Sequence, residues 1–436
     1  MRLPHPIVLL LGAIVVAAAF TWVIPAGEYE RRDDPVTGRR VAVAGTYHTV
    51  EAQPVGPFGV LMAVPRGFAE GIDVIMTILL VGAAWVVVDR IGTLRVVVGA
   101  FVRRLRRPIV AIPAVALFFG AMGAAENMQE EIIALVPVLM LLGRRLGVDA
   151  ITIVAASAGA AIVGSAFGPI NPFQAGIALK LAELPPLIAG GLRFAALGVA
   201  MAVWIGWTLR HAGRHAVAAD HADDDGRQLA ARDLVIMACL LLPLVVYIYG
   251  VTSLSWGFDE LSAVFLLGGI IAGLIGGLGL EGTARAFIAG MQDMLPAASM
   301  VALARSISLV LNDGQVIDTI LHGLATPLGH LPAMATGVMM VPVQALIHIP
   351  VSSVSGQAAL TIPIFAPLAD LVGLPRLVAV MAYQTGAGLM EMLTPTNGAL
   401  MAVLLAAGVP YQRWIRFATG GVLLVALVGL AAMALA

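Results

Sequence analysis

The sequence predicts an all-α polytopic membrane protein, because it has little charge, many long apolar segments, and polar interruptions within some of them. Of its 436 residues, 60% are hydrophobic and only 12% are charged, whereas soluble domains carry roughly 25% charged residues. Much of the surface must therefore face lipid. The 48 glycines and 25 prolines suit helical membrane proteins, in which neighbouring helices satisfy the backbone groups that such residues leave unpaired.

Composition and motifs also exclude several functions. The net charge of −1 argues against a nucleic-acid partner, which would require a basic face. Cys239 is the only cysteine, which excludes disulfides and cysteine-based metal sites. No phosphate-binding, zinc-protease or serine-hydrolase motif is present, so we expect neither an enzyme nor an ATP-driven pump, and no cofactor. Residues 6–25 lack a signal-peptidase site and are interpreted as a helix.

About nine segments are apolar enough to span a membrane, given that a span needs roughly 20 residues. They are 7–25, 69–89, 149–183, 187–209, 233–251, 260–280, 296–312, 377–406 and 414–436. Of these, 149–183 and 377–406 contain proline and polar residues midway, so we expect broken helices there. Two longer segments, 108–143 and 332–371, are polar at their centres.

Arginine clusters orient these segments, since short cytoplasmic loops are enriched in Arg and Lys. The clusters are Arg103, Arg104, Arg106 and Arg107, then Arg144 and Arg145, then Arg210, Arg214, Arg227 and Arg232, then Arg413 and Arg416. All four are placed in the cytoplasm, together with the N-terminus. Loop 26–56 mixes four arginines with five acids and is placed outside. The expected location is the cell (inner) membrane.

Segment 108–143 begins and ends beside cytoplasmic arginine clusters, although its centre, Ala125-Glu126-Asn127-Met128-Gln129-Glu130-Glu131, is polar. This pattern predicts a re-entrant hairpin with its tip inside the membrane, where irregular backbone must be buried in protein or line a cavity. Two ordinary short helices joined by an outside loop are the alternative. The arms on either side of the polar centre are short for full spans, which favours the hairpin.

The chain contains an internal repeat. Identical residues recur at a separation of 226 positions: Pro137 with Pro363, Gly147 with Gly373, Pro169 with Pro395, and Asn171 with Asn397. We therefore predict a first repeat at 1–210 and a second at 260–436, joined by a cytoplasmic linker and a connecting helix, 233–251, within 211–259. The connecting helix makes the second repeat inverted and places the C-terminus outside. Inverted repeats with broken helices are typical of secondary transporters.

Polar residues at the two hairpin tips and the two breaks are the candidate substrate site. The substrate candidates are Asn127, Glu130, Glu131, Asn171, Ser353, Ser355, Gln357, Tyr383, Glu391, Thr394, Thr396 and Asn397. Intramembrane acids are costly and usually functional. Sodium is expected near Asn127, Ser165, Asn171, Ser352, Thr394 and Asn397, with either Na⁺ or H⁺ as the coupling ion. The alternatives are proline kinks, serines bonded to helix carbonyls, and acids paired with Arg305 or Lys180. His348 could titrate or simply hydrogen-bond.

Several motifs resemble one transporter family. They are Met128-Gln129-Glu130-Glu131, Asn171-Pro172-Phe173-Gln174-Ala175-Gly176, Pro350-Val351-Ser352-Ser353-Val354-Ser355-Gly356-Gln357, Ala382-Tyr383-Gln384, Thr394-Pro395-Thr396 and Val409-Pro410-Tyr411-Gln412-Arg413-Trp414. They resemble the YfcC-like transporters, relatives of the anaerobic C4-dicarboxylate carriers in the ion transporter superfamily. The resemblance implies an ion-coupled carrier of small organic substrates that works as a homodimer by an elevator mechanism. Asn127 and Met390-Glu391-Met392 depart from the family pattern.

Three functions remain open at this point. The favoured hypothesis is a symporter or antiporter of an amino acid or a related compound, since the acids at the site favour a positively charged substrate or ion. A carrier of C4-dicarboxylates or other organic acids is the second hypothesis, and a non-transporting membrane scaffold or channel is the third.

Overall fold

The computed structural model describes residues 6–35, 38–105, 108–219, 229–254 and 256–436, and most of them are helical. The helices of the first half are α1 (Pro6–Val23), α2 (Pro57–Glu70), α3 (Ile72–Ile91), α4 (Thr93–Leu105), α5 (Pro108–Glu126), α6 (Glu130–Leu146), α7 (Ala150–Val154), α8 (Ala160–Phe167), α9 (Ile177–Leu181) and α10 (Gly190–Arg214). The π-helical turns Ala155–Gly159 and Pro172–Gly176 join α7 to α8 and lead into α9.

The second half contains nine further helices. They are α11 (Ala231–Leu254), α12 (Phe258–Ile275), α13 (Gly279–Asp313), α14 (Ile317–Ala325), α15 (Ala333–His348), α16 (Val354–Leu371), α17 (Arg376–Met390), α18 (Gly398–Ala406) and α19 (Tyr411–Ala434), with a 3₁₀ turn at Thr326–His330. Loop 26–56 adds two antiparallel strand pairs. They are β1 (Gly27–Glu28) with β4 (His48–Thr49), and β2 (Arg31–Asp33) with β3 (Arg40–Ala42). These strands have only two or three residues each and lie within one loop, and most of the described chain is helical, as the predicted all-α class requires.

Within the described residues, nine helices are long and apolar enough to cross a membrane, so the protein is a multi-pass membrane protein. The number agrees with the sequence analysis, but the set differs. It includes α5 and α16, which were assigned to hairpins, and does not include α11 or α17. Because α5 has 19 residues and α6 has 17, arm length no longer argues for a re-entrant hairpin. Both hairpins remain predictions.

Helix α13 corrects one predicted boundary. The span expected at 296–312 is the second half of a 35-residue helix that begins at Gly279 and contains Pro296 in its interior. This helix packs against α1, α2, α3 and α18 along its length, and such neighbours allow an internal proline in a membrane helix. Helices α2, α4 and α14 were also not predicted, because each is too short or too charged to read as a span.

Two groups of packed helices surround the polar interruptions. In one group, α3 and α13 pack together with α1, α2 and α12; in the other, α17 packs with α8, α15, α16 and α19. Helix α18 joins the groups, because it contacts α13 in the first and α19 in the second, and α6 contacts both α3 and α18. Backbone meets backbone between α5 and α8, where a Cβ on Gly164 would overlap the carbonyl of Gly120 and a Cβ on Gly123 would overlap that of Ala161.

Candidate functional site

The first tip is a turn of three residues, 127–129, between α5 and α6. Asn127 has a φ of 59°, a left-handed conformation that asparagine tolerates better than most residues. Met128 and Gln129 are buried, so the turn lies inside the protein. The Asn127 side-chain oxygen accepts hydrogen bonds from Ser165 Oγ and, at 3.3 Å, from Asn171 Nδ2. The first tip is therefore attached to the first break.

The first break lies between α8 and the π-helical turn that precedes α9. Asn171 is fully buried, and its Oδ1 accepts hydrogen bonds from the backbone N–H groups of Phe173 and Gln174, both at 2.9 Å. Its Nδ2 donates to the carbonyl of Gly123 on α5 at 2.9 Å and to Ser165 Oγ at 3.1 Å. The Asn171 side chain thus caps the π-helical turn Pro172–Gly176 and connects it to α5.

The second tip, residues 349–353, connects α15 to α16 and is held in a similar way. Ser353 caps α16 by accepting a hydrogen bond from the N–H of Gly356 at 3.3 Å. Thr396 Oγ1 donates to the carbonyl of Ile349 at 2.8 Å, and the hydroxyl of Tyr383 donates to the carbonyl of Val354 at 2.6 Å. Side chains of the second broken segment therefore fix both sides of this tip.

The second break separates α17 from α18. Asn397 caps α18 by accepting from the N–H of Leu400 at 3.1 Å, and its Nδ2 donates to the carbonyl of Glu391 at 3.2 Å. Thr394 Oγ1 and Thr396 Oγ1 are hydrogen-bonded at 2.7 Å. Asn171 and Asn397, which are 226 positions apart, thus have the same capping role.

Glu391 connects the two halves of the protein. This residue is only 5% exposed, and its Oε2 accepts a hydrogen bond from Nε2 of Gln129 in the first tip. Its Oε1 lies 4.0 Å from Nε2 of His348, at the end of α15. The first tip, the second break and the second hairpin segment therefore meet at one carboxyl group.

A cavity of about 920 Å³ lies between the two tips, the second break, α3 and α13. Its walls contain six carboxylic acids, Glu70, Asp73, Glu126, Glu130, Glu131 and Glu391, and three arginines, Arg39, Arg40 and Arg305. Among the described residues, no ion pair links Arg305 to any of these acids. Two of the acids also stabilise the local structure. Glu130 and Glu131 begin α6, where the helix dipole favours carboxylates, and Glu131 accepts a hydrogen bond from the N–H of Gln129 at 3.2 Å.

Most of the predicted substrate residues line this cavity. Those that do are Asn127, Glu130, Glu131, Ser353, Ser355, Glu391, Thr396 and Asn397. Those that lie behind its walls are Asn171, Gln357, Tyr383 and Thr394, all of them buried. Lys180, considered as a partner for the acids, is exposed at the end of α9. The role of each predicted residue in binding stays a prediction.

The six residues expected near sodium fall into separate hydrogen-bonded groups. Asn127, Ser165 and Asn171 bond to one another, whereas Thr394 bonds to Thr396. Ser352 lines the cavity. In the described part of the chain, no cluster of three or more His, Cys, Asp or Glu residues could hold a metal ion. The sodium site expected near these six residues stays a prediction.

Sequence reasoning missed Arg193 on α10. This residue is 3% exposed, and its guanidinium donates to Gln384 Oε1 at 3.3 Å and to the carbonyls of Pro169 and Pro186 at 3.4 Å. It therefore joins the first break to α17. A lone arginine within the predicted span 187–209 was the available signal, since intramembrane charges usually have a function. Arg39 and Arg40 were missed because loop 26–56 was placed outside the membrane.

Comparisons with known proteins give consistent matches. The profile of the family described as "C4-dicarboxylate anaerobic carrier" (DcuC) matches residues 3–436. The "Putative basic amino acid antiporter YfcC" of Escherichia coli is 29% identical, with 95% of this chain and 92% of that protein aligned. An "Uncharacterized protein" of Haemophilus influenzae is 28% identical, with 95% and 93% aligned. These matches confirm the resemblance that the sequence motifs indicated.

Two solved structures also align with nearly the whole chain. The Alcanivorax borkumensis YdaH transporter has 16% sequence identity and a TM-score of 0.44, over 99% of this chain and 98% of that one. Neisseria gonorrhoeae MtrF has 18% identity and a TM-score of 0.43, over 99% and 94%.

Proposed function

Because the chain belongs to the C4-dicarboxylate anaerobic carrier family and is a membrane transporter rather than an enzyme, we propose that it couples an ion gradient to the transport of a small metabolite that carries an amine or guanidine group. An amino acid or a related compound is the substrate class that fits best. We further propose that the substrate binds in the cavity between the two tips. The name of the Escherichia coli relative, a basic amino acid antiporter, agrees with this proposal.

The charge of the cavity is the observation that carries the proposal. Six carboxylic acids and three arginines face one space of about 920 Å³, a size typical of sites for small organic ligands. Unpaired charge inside a membrane protein is expensive, and an excess of acids is stabilised by a bound cation. An amino acid would supply a cationic group to Glu391 and its neighbours while its carboxylate faces Arg305 or a helix N-terminus.

A dicarboxylate carrier is the second candidate, and one observation favours it. The first residues of α16 and of α18 line the cavity, and Arg305 lies in the same wall. Helix N-termini carry unpaired N–H groups and a partial positive charge, which bind anions. A dianionic substrate would have to approach six acids, however, so protons or cations would have to accompany it.

We also propose the architecture that the sequence predicted: two inverted repeats, each with a re-entrant hairpin and a broken helix, moving as an elevator in a homodimer with the C-terminus outside. Paired positions support the repeat. Gly147 follows α6 directly and Gly373 lies two residues after the end of α16, and both have positive φ, 69° and 77°. Asn171 and Asn397 both cap the helix after a break. Pro137 and Pro363 both lie inside helices of the predicted hairpins.

Four candidates do not line the cavity and are assigned a supporting role. Tyr383 on α17 donates to Val354 of the second hairpin segment, and Gln357 bonds to Gln344 within that segment. Thr394 is hydrogen-bonded to Thr396, which donates to the carbonyl of Ile349. We propose that these side chains, like Asn171, position the tips rather than contact the substrate.

Transport in proteoliposomes tests this proposal. We expect labelled arginine or ornithine to exchange across the membrane and labelled succinate to do so poorly. Glu391→Gln and Glu130→Gln should each reduce exchange at least about tenfold, which corresponds to about 1.4 kcal/mol. Glu281→Gln is the matched control, because the Glu281 side chain is 80% exposed and pairs with Arg285 on its own helix.

The opposite selectivity would contradict the proposal. If succinate exchanged rapidly and the cationic amino acids did not, the dicarboxylate candidate would replace it. If Glu391→Gln and Glu130→Gln both behaved like Glu281→Gln, the cavity would not be the substrate site.

A further inference from the structure

We infer that His348 and Glu391 hold one exchangeable proton between them, and that this pair is the proton site through which transport is coupled. The inference rests on the proposed function, because it names the ion that the proposal leaves open. It also implies antiport, since the carboxyl that takes the proton is the one that faces the substrate cavity.

The geometry leaves one nitrogen of His348 without a partner. The side chain is fully buried, and its Nδ1 lies 2.8 Å from Oε1 of Gln357. Its Nε2 has no hydrogen bond to any residue that the structure describes, and it lies 4.0 Å from Oε1 of Glu391. A buried polar nitrogen without a partner is rare in folded proteins. Among the described residues, Glu391 is the acid that lies within 4.0 Å of this nitrogen.

A chain of two glutamines fixes the tautomer of His348. Nε2 of Gln357 donates to the backbone carbonyl of Gln344 at 2.8 Å. A carbonyl can only accept, so the orientation of the Gln357 amide is determined, and its Oε1 must point to His348. Since that oxygen is also only an acceptor, Nδ1 of His348 must carry a proton. In the neutral ring, Nε2 then has a lone pair directed toward Glu391.

This arrangement can hold one proton in two equivalent forms. Either the carboxylic O–H of Glu391 faces the Nε2 lone pair, or the proton has moved to Nε2 and an imidazolium faces a carboxylate. Both forms are neutral overall. A shift of about 1 Å would bring the two atoms from 4.0 Å to hydrogen-bond distance. When the proton leaves, a carboxylate and a neutral imidazole remain, with a net charge of −1.

The deprotonated pair of His348 and Glu391 should therefore attract a cation from the cavity. Glu391 lines that cavity, so the cationic group of a substrate and the proton compete for one carboxyl group. Binding one releases the other, which is the requirement for exchange of substrate against protons. The amide of Gln129, which donates to the other oxygen of Glu391, holds this carboxyl in place in both states.

Other charged or titratable groups around the pair are few. Glu130 on α6 is near Glu391. Tyr383 on α17 is near Glu391, and Arg39 is near Tyr383. The hydroxyl of Tyr383 is already donated to the carbonyl of Val354, so it does not compete for either side of the pair.

Nitrogen-15 NMR of histidine in the full-length protein tests the proton site without any substrate. We expect the His348 signal, assigned by its loss in His348→Asn, to show a protonated Nδ1 and an unprotonated Nε2 in the neutral ring. The Nε2 signal should change in one step with pH, and Glu391→Gln should abolish that step or move it by at least about one pH unit. A proton on Nε2 of the neutral ring, or an identical step in Glu391→Gln, would overturn the inference.

Transport assays distinguish a failure of this inference from a failure of the proposed function. Asparagine can still donate to Gln357, so His348→Asn should retain exchange of labelled arginine at equal pH but lose at least about tenfold of the accumulation driven by a pH gradient. His330→Asn, at an exposed position, is the control. If wild type exchanges no cationic amino acid, the proposed function fails. If it does, and His348→Asn or the folded alternative His348→Gln accumulates arginine like wild type, only the proton site is wrong.

Discussion

Replacing Asn171 with alanine should destabilise the protein about twice as much as the same change at Asn397, although the two residues occupy equivalent positions of the predicted repeat. Asn171 makes two capping bonds, to Phe173 and Gln174, and donates to Gly123, Ser165 and Asn127. A helix cap contributes about 1 kcal/mol, and polar bonds between membrane helices contribute about 0.6 kcal/mol each. The expected loss is therefore about 3 kcal/mol for Asn171→Ala.

Asn397 makes fewer bonds. It caps Leu400 and donates to the carbonyl of Glu391, so the same reasoning gives a loss of about 1.5 kcal/mol for Asn397→Ala. Reversible unfolding in mixed micelles measures both free energies of unfolding. Equal losses, or a loss below about 0.5 kcal/mol for Asn171→Ala, would refute the assignment of Asn171 as the bond between the first tip and the first break.

Three further predictions concern other parts of the structure. Gly164→Ala should destabilise the protein by about 1–3 kcal/mol, because the added Cβ would meet the backbone of Gly120. Gly198→Ala is the control, since Gly198 has open space around it and the change should cost little. Thermal unfolding in detergent compares the two variants. Burial, and then the charge of Asp318, raises the pKa of Tyr29 from 10.0 to about 12. The protonated Tyr29 side chain therefore contributes fully to stability below pH 10, and this contribution falls as the pH rises toward about 12. In unfolding curves measured at alkaline pH, Tyr29→Phe should lose less stability with rising pH than wild type. Arg193→Lys should lower the transport rate, since lysine cannot bond at once to Gln384 and to the carbonyls of Pro169 and Pro186. A rate equal to that of wild type would show that these bonds of Arg193 are dispensable.

The sequence was sufficient to locate the polar interruptions, because polar residues are costly inside apolar segments and are therefore conspicuous there. Asn171 and Asn397 could be singled out as break residues from the adjacent prolines, and both do cap a helix after a break. Ser353 could likewise be assigned to a tip, and it caps α16.

Pairings across the chain could not be predicted. Nothing in the local sequence indicates that Gln129 will bond to Glu391, 262 positions away, or that Arg39 of loop 26–56 will line the same cavity. The start of α13 was missed because Glu281, Arg285 and Pro296 read as a loop, whereas packing against neighbouring helices keeps the segment helical. Local propensity is a weak guide wherever tertiary contacts decide the outcome.

The central claim is that a cationic metabolite binds in the cavity between the tips, and substrate protection of a cysteine at Ser355 tests it most directly. In a Cys239→Ser background, Ser355→Cys places one thiol in the cavity wall, and Thr326→Cys provides an exposed control. We expect saturating arginine or ornithine to slow labelling of Ser355→Cys at least about tenfold and to leave Thr326→Cys unchanged, with succinate protecting neither. Labelling of Ser355→Cys that is insensitive to every cationic amino acid the protein transports would contradict the account.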